Sequence, residues 1–149
     1  MNKQISNHKK ERLPGQAMIE LALILPLLLV LVISTIELGR LYYTKVVITN
    51  AAREGAYYLS MNISDYDPGT GSAPLTILAA QAEASNSGVD DITVSVTPKN
   101  CCAQGVYSVE VTVDTNVEDL IFLSLIGNVL NSTHYEEYPL SASVEMMVQ

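Results

Sequence analysis

The sequence predicts an α+β fold: a long N-terminal transmembrane helix packed on a small antiparallel three-stranded sheet, with a second short helix. Three observations predict it. An apolar run extends from Ala17 to Ile36, apolar residues at helical spacing continue the same helix to about Ser60, and three later segments alternate with period two.

The first helix follows from length and hydropathy. The twenty residues from Ala17 to Ile36 contain one charge, Glu20. At about 1.5 Å per residue they cover about 30 Å, the thickness of a bilayer core. Pro26 lies inside the run and cannot donate to the Ala22 carbonyl, so a bend is expected there. Beyond the run, Leu41, Ile48, Ala52, Ala56 and Leu59 form an apolar stripe interrupted by Lys45. Ala51, Ala52, Gly55 and Ala56 are small enough to admit a sheet or another helix at close range. Asp65 to Ser72 is a loop by composition, and its carboxylates are too few and too irregular for a calcium loop. A second helix is expected from Ala73 or Pro74 to about Ser85, ended by Ser85-Asn86-Ser87-Gly88.

The period then changes. Ile92, Val94 and Val96 alternate with polar residues, as do Tyr107, Val109, Val111 and Val113, and then Leu140, Ala142, Val144, Met146 and Val148. Each is a strand with one apolar and one polar face. Between the second and third strands, Leu120 to Ile126 is a dense apolar run, to be placed either on the core or on an exposed patch. Cys101 and Cys102 fall in the turn between the first two strands. Adjacent cysteines are neither a disulfide framework nor a metal-ligand spacing. Outside the cytoplasm they are candidates for a strained vicinal disulfide or for pairing between chains.

Charge sets the topology and removes several function classes. Residues 1–15 carry Lys3, Lys9, Lys10 and Arg12 against Glu11, for +3, and residues 16–149 carry four basic and fifteen acidic side chains, for -11. Basic residues flank the cytoplasmic end of a span, so three regions follow: a cytoplasmic leader at 1–15, a transmembrane helix at 16–37, and an extracytoplasmic α+β domain at 38–149. The acidic exterior argues against nucleic acid as a partner. His8 and His134 are far apart in sequence, and no nucleophile, paired-carboxylate or metal constellation stands out. No catalytic residue, metal or cofactor is therefore expected. Glu37 and Arg40, three residues apart, read as anchors at the membrane exit, within reach of each other.

The membrane entrance reads Pro14-Gly15-Gln16-Ala17-Met18-Ile19-Glu20-Leu21. An ordinary secretory signal has a shorter apolar region ending in small residues, whereas this run ends in Ile36-Glu37-Leu38-Gly39-Arg40. Gly15 lacks Cβ and lets a peptidase at the membrane surface approach the backbone. Pro14 biases Leu13 to an extended conformation. A carboxylate such as Glu20 costs on the order of 2–3 kcal/mol inside a span, less near its end. Cleavage after Gly15 releases an α-amino group on Gln16, one helical turn from Glu20, and a neighbouring subunit could pair the two charges.

Gly15 followed by Glu20 resembles a prepilin peptidase site. The block from Gly15 through Pro26, then Glu37-Leu38-Gly39-Arg40 and Asn50-Ala51-Ala52-Arg53-Glu54-Gly55-Ala56, resembles the TadE-like family over about residues 14–60. That resemblance implies a pilin-like fold and a minor pilin or pseudopilin of the tight-adherence (Flp, type IVc) pilus system. It implies cleavage between Gly15 and Gln16, with prepilin peptidase, other tight-adherence pilins, the inner-membrane assembly platform and membrane lipid as partners. It places the chain in the inner or cytoplasmic membrane, with incorporation into an extracellular pilus as a further step. A major pilin of that system is much shorter and carries tyrosine after the glutamate. Here Leu21 follows and a large C-terminal domain is present, which points to an accessory subunit. The alternative is an uncleaved, signal-anchored binding module of the cell surface.

Overall fold

The computed structural model describes residues 14–67, 70–100, 107–118, 120–122, 124 and 137–148. The architecture is α+β: a long apolar N-terminal helix, a second short helix and one three-stranded antiparallel sheet. Most of the leader and Cys101-Cys102 lie outside the described residues.

Helix α1 runs from Pro14 to Met61, through Pro26. Pro14 suits a first helical position because its missing N–H would have no partner there. Forty-eight residues make a rod of about 72 Å, more than twice a bilayer core. The rod has two environments. Nearly all side chains from Gly15 to Ile36 are exposed, whereas burial against the rest of the chain begins at Glu37 and continues through Val47, Ile48, Ala51, Ala52, Gly55, Ala56 and Leu59. The stripe read from the sequence is the inner face of this second half. Lys45, which interrupts the stripe, is exposed and its ammonium donates to the Ser141 carbonyl.

A 3-10 turn, Ile63–Asp65, leads to helix α2, Pro74–Asn86. The residue before α2 is Ala73, which has no side chain able to cap a helix. Asp65 supplies that function from ten residues upstream. Its carboxylate accepts from the Leu75 N–H at 3.1 Å, the Thr76 N–H at 2.7 Å and the Thr76 hydroxyl at 2.8 Å. Pro74 has no N–H, and the Ile77 N–H reaches the Ala73 carbonyl at 2.9 Å, so the first turn is fully satisfied. Burial pushes the Asp65 carboxyl up, but the hydrogen bonds from Thr76 and Leu75 outweigh it and hold the group below its ordinary 3.8. Asp65→Ala is therefore expected to lower stability by about 1–2 kcal/mol. A folded-state pKa below the unfolded one makes this contribution complete above pH 3.8, and it is lost as pH falls through the depressed folded value. Chemical denaturation of the wild type and the variant in detergent checks this: the gap should be constant from neutral pH to about 4 and close in stronger acid.

The other end of α2 closes with Gly88 at φ +76°. The Val89 N–H bonds the Ala84 carbonyl at 3.0 Å and the Gly88 N–H bonds the Ser85 carbonyl at 2.9 Å, a Schellman pair that needs a left-handed residue at Gly88. The Tyr43 hydroxyl donates to the Ser87 carbonyl at 2.9 Å, which holds this end of α2 against α1.

Strands β1 (Ile92–Asn100), β2 (Tyr107–Glu118) and β3 (Glu137–Val148) follow, with β2 central. They extend beyond the expected alternating cores because the ladder pairs Asn100 with Tyr107 and Glu118 with Glu137. Val94, Val113 and Ala142 form one cross-strand row, and Val96, Val111 and Val144 the next. This apolar face lies on α1 and α2. One core cluster joins Val47, Ile48, Ala51 and Ala52 to Ala80, Ala84, Ile92, Val113 and Ala142, and a second joins Leu59 to Ala73 and Val109. The alanines let both helices and the sheet meet with little intervening volume.

Candidate functional site

The features that bear on function lie along α1. At its start, Gly15 and Gln16 occupy the first helical turn and are exposed. A Cβ on Gly15 would meet nothing within 4 Å, so packing inside the chain gives no reason for glycine there. The Gln16 side-chain amide donates to Glu20 Oε1 at 3.2 Å. The residue that would begin a chain cut after Gly15 thus shares a helix face with the carboxylate one turn on. Glu20 is exposed and accepts that bond as the only charged side chain between Ala17 and Ile36.

At the other end of the apolar half, Glu37 and Arg40 do not pair with each other. Arg40 is exposed, while Glu37 is 5% exposed and turns toward the sheet domain. Its Oε1 accepts from the Phe122 N–H at 2.7 Å, across 85 residues of sequence. Its Oε2 is buried and has no hydrogen-bond partner. A buried acceptor without a partner costs about 1–3 kcal/mol, so this carboxylate is held in place by the fold around it. The apolar run at 120–126 is divided where it is described: Leu120 is buried and Ile121 is exposed.

The outer face of the sheet carries a different arrangement. Lys99 Nζ lies 2.7 Å from Glu110 and 3.6 Å from Glu145, which are directly opposite each other on β2 and β3. One cation thereby relieves two like charges that would otherwise repel. The hydrogen bond between Lys99 and Glu110 raises the ammonium above its ordinary value and holds the carboxyl below its own. A shallow hollow lined by Asp91, Thr93, Asp114, Thr115 and Asn116 is open to solvent. Among the described residues, no group of three or more His, Cys, Asp or Glu could hold a metal ion.

Two of these arrangements escape sequence reasoning. The Asp65 cap carries a faint signal, an acid upstream of a proline-initiated helix with alanine at the cap position. The Glu37–Phe122 bond carries none, because the spacing to Arg40 offers a nearer and wrong partner.

Taken together, the chain joins an apolar half-helix bare of its own protein to an α+β head domain built on the continuation of that helix. Among the described residues α1 is the one helix long and apolar enough to cross a membrane. Part of that helix is similar to a known family: the model of the TadE-like proteins matches residues 15–56, from Gly15 to the close contacts around Gly55. Comparison with curated proteins and with solved structures gives no match.

Proposed function

We propose that this chain is a minor pilin or pseudopilin that takes part in assembling an adhesive tight-adherence (Flp, type IVc) pilus, and that a prepilin peptidase cuts it between Gly15 and Gln16. The observation that carries this reading is the TadE-like match, which begins at Gly15 itself and ends at the helix contacts of the head domain. Residues 1–15 are the cytoplasmic leader, 16–37 the single span of the inner or cytoplasmic membrane, and 38–149 the extracytoplasmic domain. The contact between Gln16 and Glu20 supports the pairing chemistry. Once Gln16 carries a free amine, amine and carboxylate lie on one helix face, one turn apart. A neighbouring subunit displaced slightly along the axis supplies the opposite charge to each, which compensates a carboxylate that would otherwise be costly in apolar surroundings. The partners are the peptidase, other tight-adherence pilins, the inner-membrane assembly platform and lipid. The role is structural and needs no catalytic residue or cofactor.

The test is the mass of the protein extracted from membranes of cells with and without a prepilin peptidase. A mature chain beginning at Gln16 only where the peptidase is present is expected. Retention of residues 1–15 in both would sink the proposal and leave the uncleaved, signal-anchored surface module.

A further inference from the structure

The foot of the head domain lies at the level where α1 leaves the bilayer, and this level is read from the contacts of β2. Val109 packs with Leu59, Val113 with Ile48, Ala51 and Ala52, and Phe122 donates its N–H to Glu37. From Val109 to Val113 on β2 and then to Phe122 beyond it, the contacts move down α1 toward its apolar half. The apolar run begins at Ala17, and about 30 Å of helix places its far end at Ile36, next to Glu37. Side chains of a helix lean toward its N-terminus, so the Glu37 carboxylate, and the Phe122 amide on it, lie on the membrane side of the Glu37 backbone.

Among the described residues there, Ile121 and Tyr138 are exposed. Ile121 is 68% exposed, against 7% for Leu120 behind it, and the Ser124 N–H bonds the Leu120 carbonyl at 3.0 Å, so Ile121 projects from a closed turn. Tyr138 on β3, 41% exposed, pairs in register with Val117 near the same end of β2 and adds an amphipathic ring of the kind that settles at headgroup depth. Exposed Arg40 one turn above Glu37 can extend its guanidinium back to lipid phosphates. Glu118 is exposed and keeps the strand end itself in water, so the contact is shallow.

We propose that the turn at Leu120–Phe122 is a second membrane contact: Ile121 inserts into the interfacial region of the outer leaflet, so that the head rests on the bilayer beside its own helix. Glu37 is the clamp that holds the turn at that depth. Because the head is already packed on α1, the contact fixes the tilt of both relative to the bilayer, which a single helix leaves free. This inference rests on the reading of α1 as a membrane span.

The chain contains no tryptophan, so single replacements report depth directly. Three variants of the full chain, Ile121→Trp, Leu23→Trp in the span and Leu78→Trp on the exposed face of α2, are placed in phosphatidylcholine vesicles with lipids brominated near the headgroup or near the chain end. Ile121→Trp is expected to lose about half its emission to the shallow quencher, as an interfacial indole should, Leu23→Trp to respond to the deep one, and Leu78→Trp to neither. Quenching of Leu23→Trp without quenching of Ile121→Trp overturns the inference and leaves the span intact. Equal quenching of Ile121→Trp and Leu78→Trp overturns it as well, because the head would then lie on its side. An unquenched Leu23→Trp overturns the span and the inference with it.

Discussion

Gly55→Leu is expected to destabilise the head domain strongly while leaving the apolar half of α1 unchanged. At Gly55, α1 meets both α2 and β2 at close range. A Cβ there would lie 3.2 Å from Val111 Cγ1, 3.3 Å from Ala80 Cβ and 3.6 Å from the Thr76 carbonyl oxygen. None of these atoms ends a flexible side chain. Val111 is a β-branched residue at the centre of the sheet, Ala80 Cβ is attached directly to the α2 backbone, and both residues are fully buried. Leucine adds three more carbons beyond Cβ, and its space can come only from separating α2 or the sheet from α1. Overpacking of this kind costs about 3 kcal/mol, a large part of the roughly 5–15 kcal/mol that holds a domain folded. The melting temperature should fall by about 15 °C or more, read from the near-ultraviolet dichroism of the tyrosines in detergent. Gly55→Ala should cost much less, because alanine improves helix propensity by about 1 kcal/mol while only its Cβ has to be accommodated. A Gly55→Leu protein that melts with the wild type would show that the three elements can part without loss.

Gly15→Val is expected to leave the leader attached. Valine at this position meets open space within the chain, so folding and insertion should not change. The effect then falls on the approach of a peptidase to the 15–16 bond, where a branched side chain displaces the scissile carbonyl. A misplacement of about 1 Å is enough to cost roughly 10²-fold in rate. Glu20→Ala is the partner experiment. It should be cut nearly normally, because Glu20 lies one turn beyond the bond, but it should fail to enter pili, because the new amine of its neighbour has no carboxylate to meet. The intact mass of the membrane form reports cleavage, and sheared-pilus fractions report assembly. Normal processing of the valine variant would remove Gly15 as the recognition residue. Normal assembly of the alanine variant would remove the charge pair.

The elements of this fold are legible because each has its own period. The apolar stripe from Ile48 to Leu59 predicts the inner face of α1, and the alternation through Val109, Val111 and Val113 predicts the inner face of β2, in both cases the faces found buried. Gly88 announces the end of α2 because few other residues accept its backbone angle. Glu37 shows the opposite case. Its nearest opposite charge in sequence, Arg40, is a plausible partner on an isolated helix, but the sheet domain buries Glu37 and turns it to a backbone amide. Asp65 likewise sits in a stretch whose composition says only loop, and its role as the cap of α2 exists because the 3-10 turn brings it back onto the first turn of that helix.

What the sequence by itself determined is therefore what short-range spacing can carry: a helix long and apolar enough to cross a bilayer, and the faces of the helices and strands. Only the tertiary structure decided where those faces meet. The junction at Gly55, the cap from Asp65 and the hold of Glu37 on Phe122 join residues from ten to 85 positions apart. Their energies depend on distances of about 3 Å that no local period encodes, because they arise only when the helices and the sheet bury their apolar faces together.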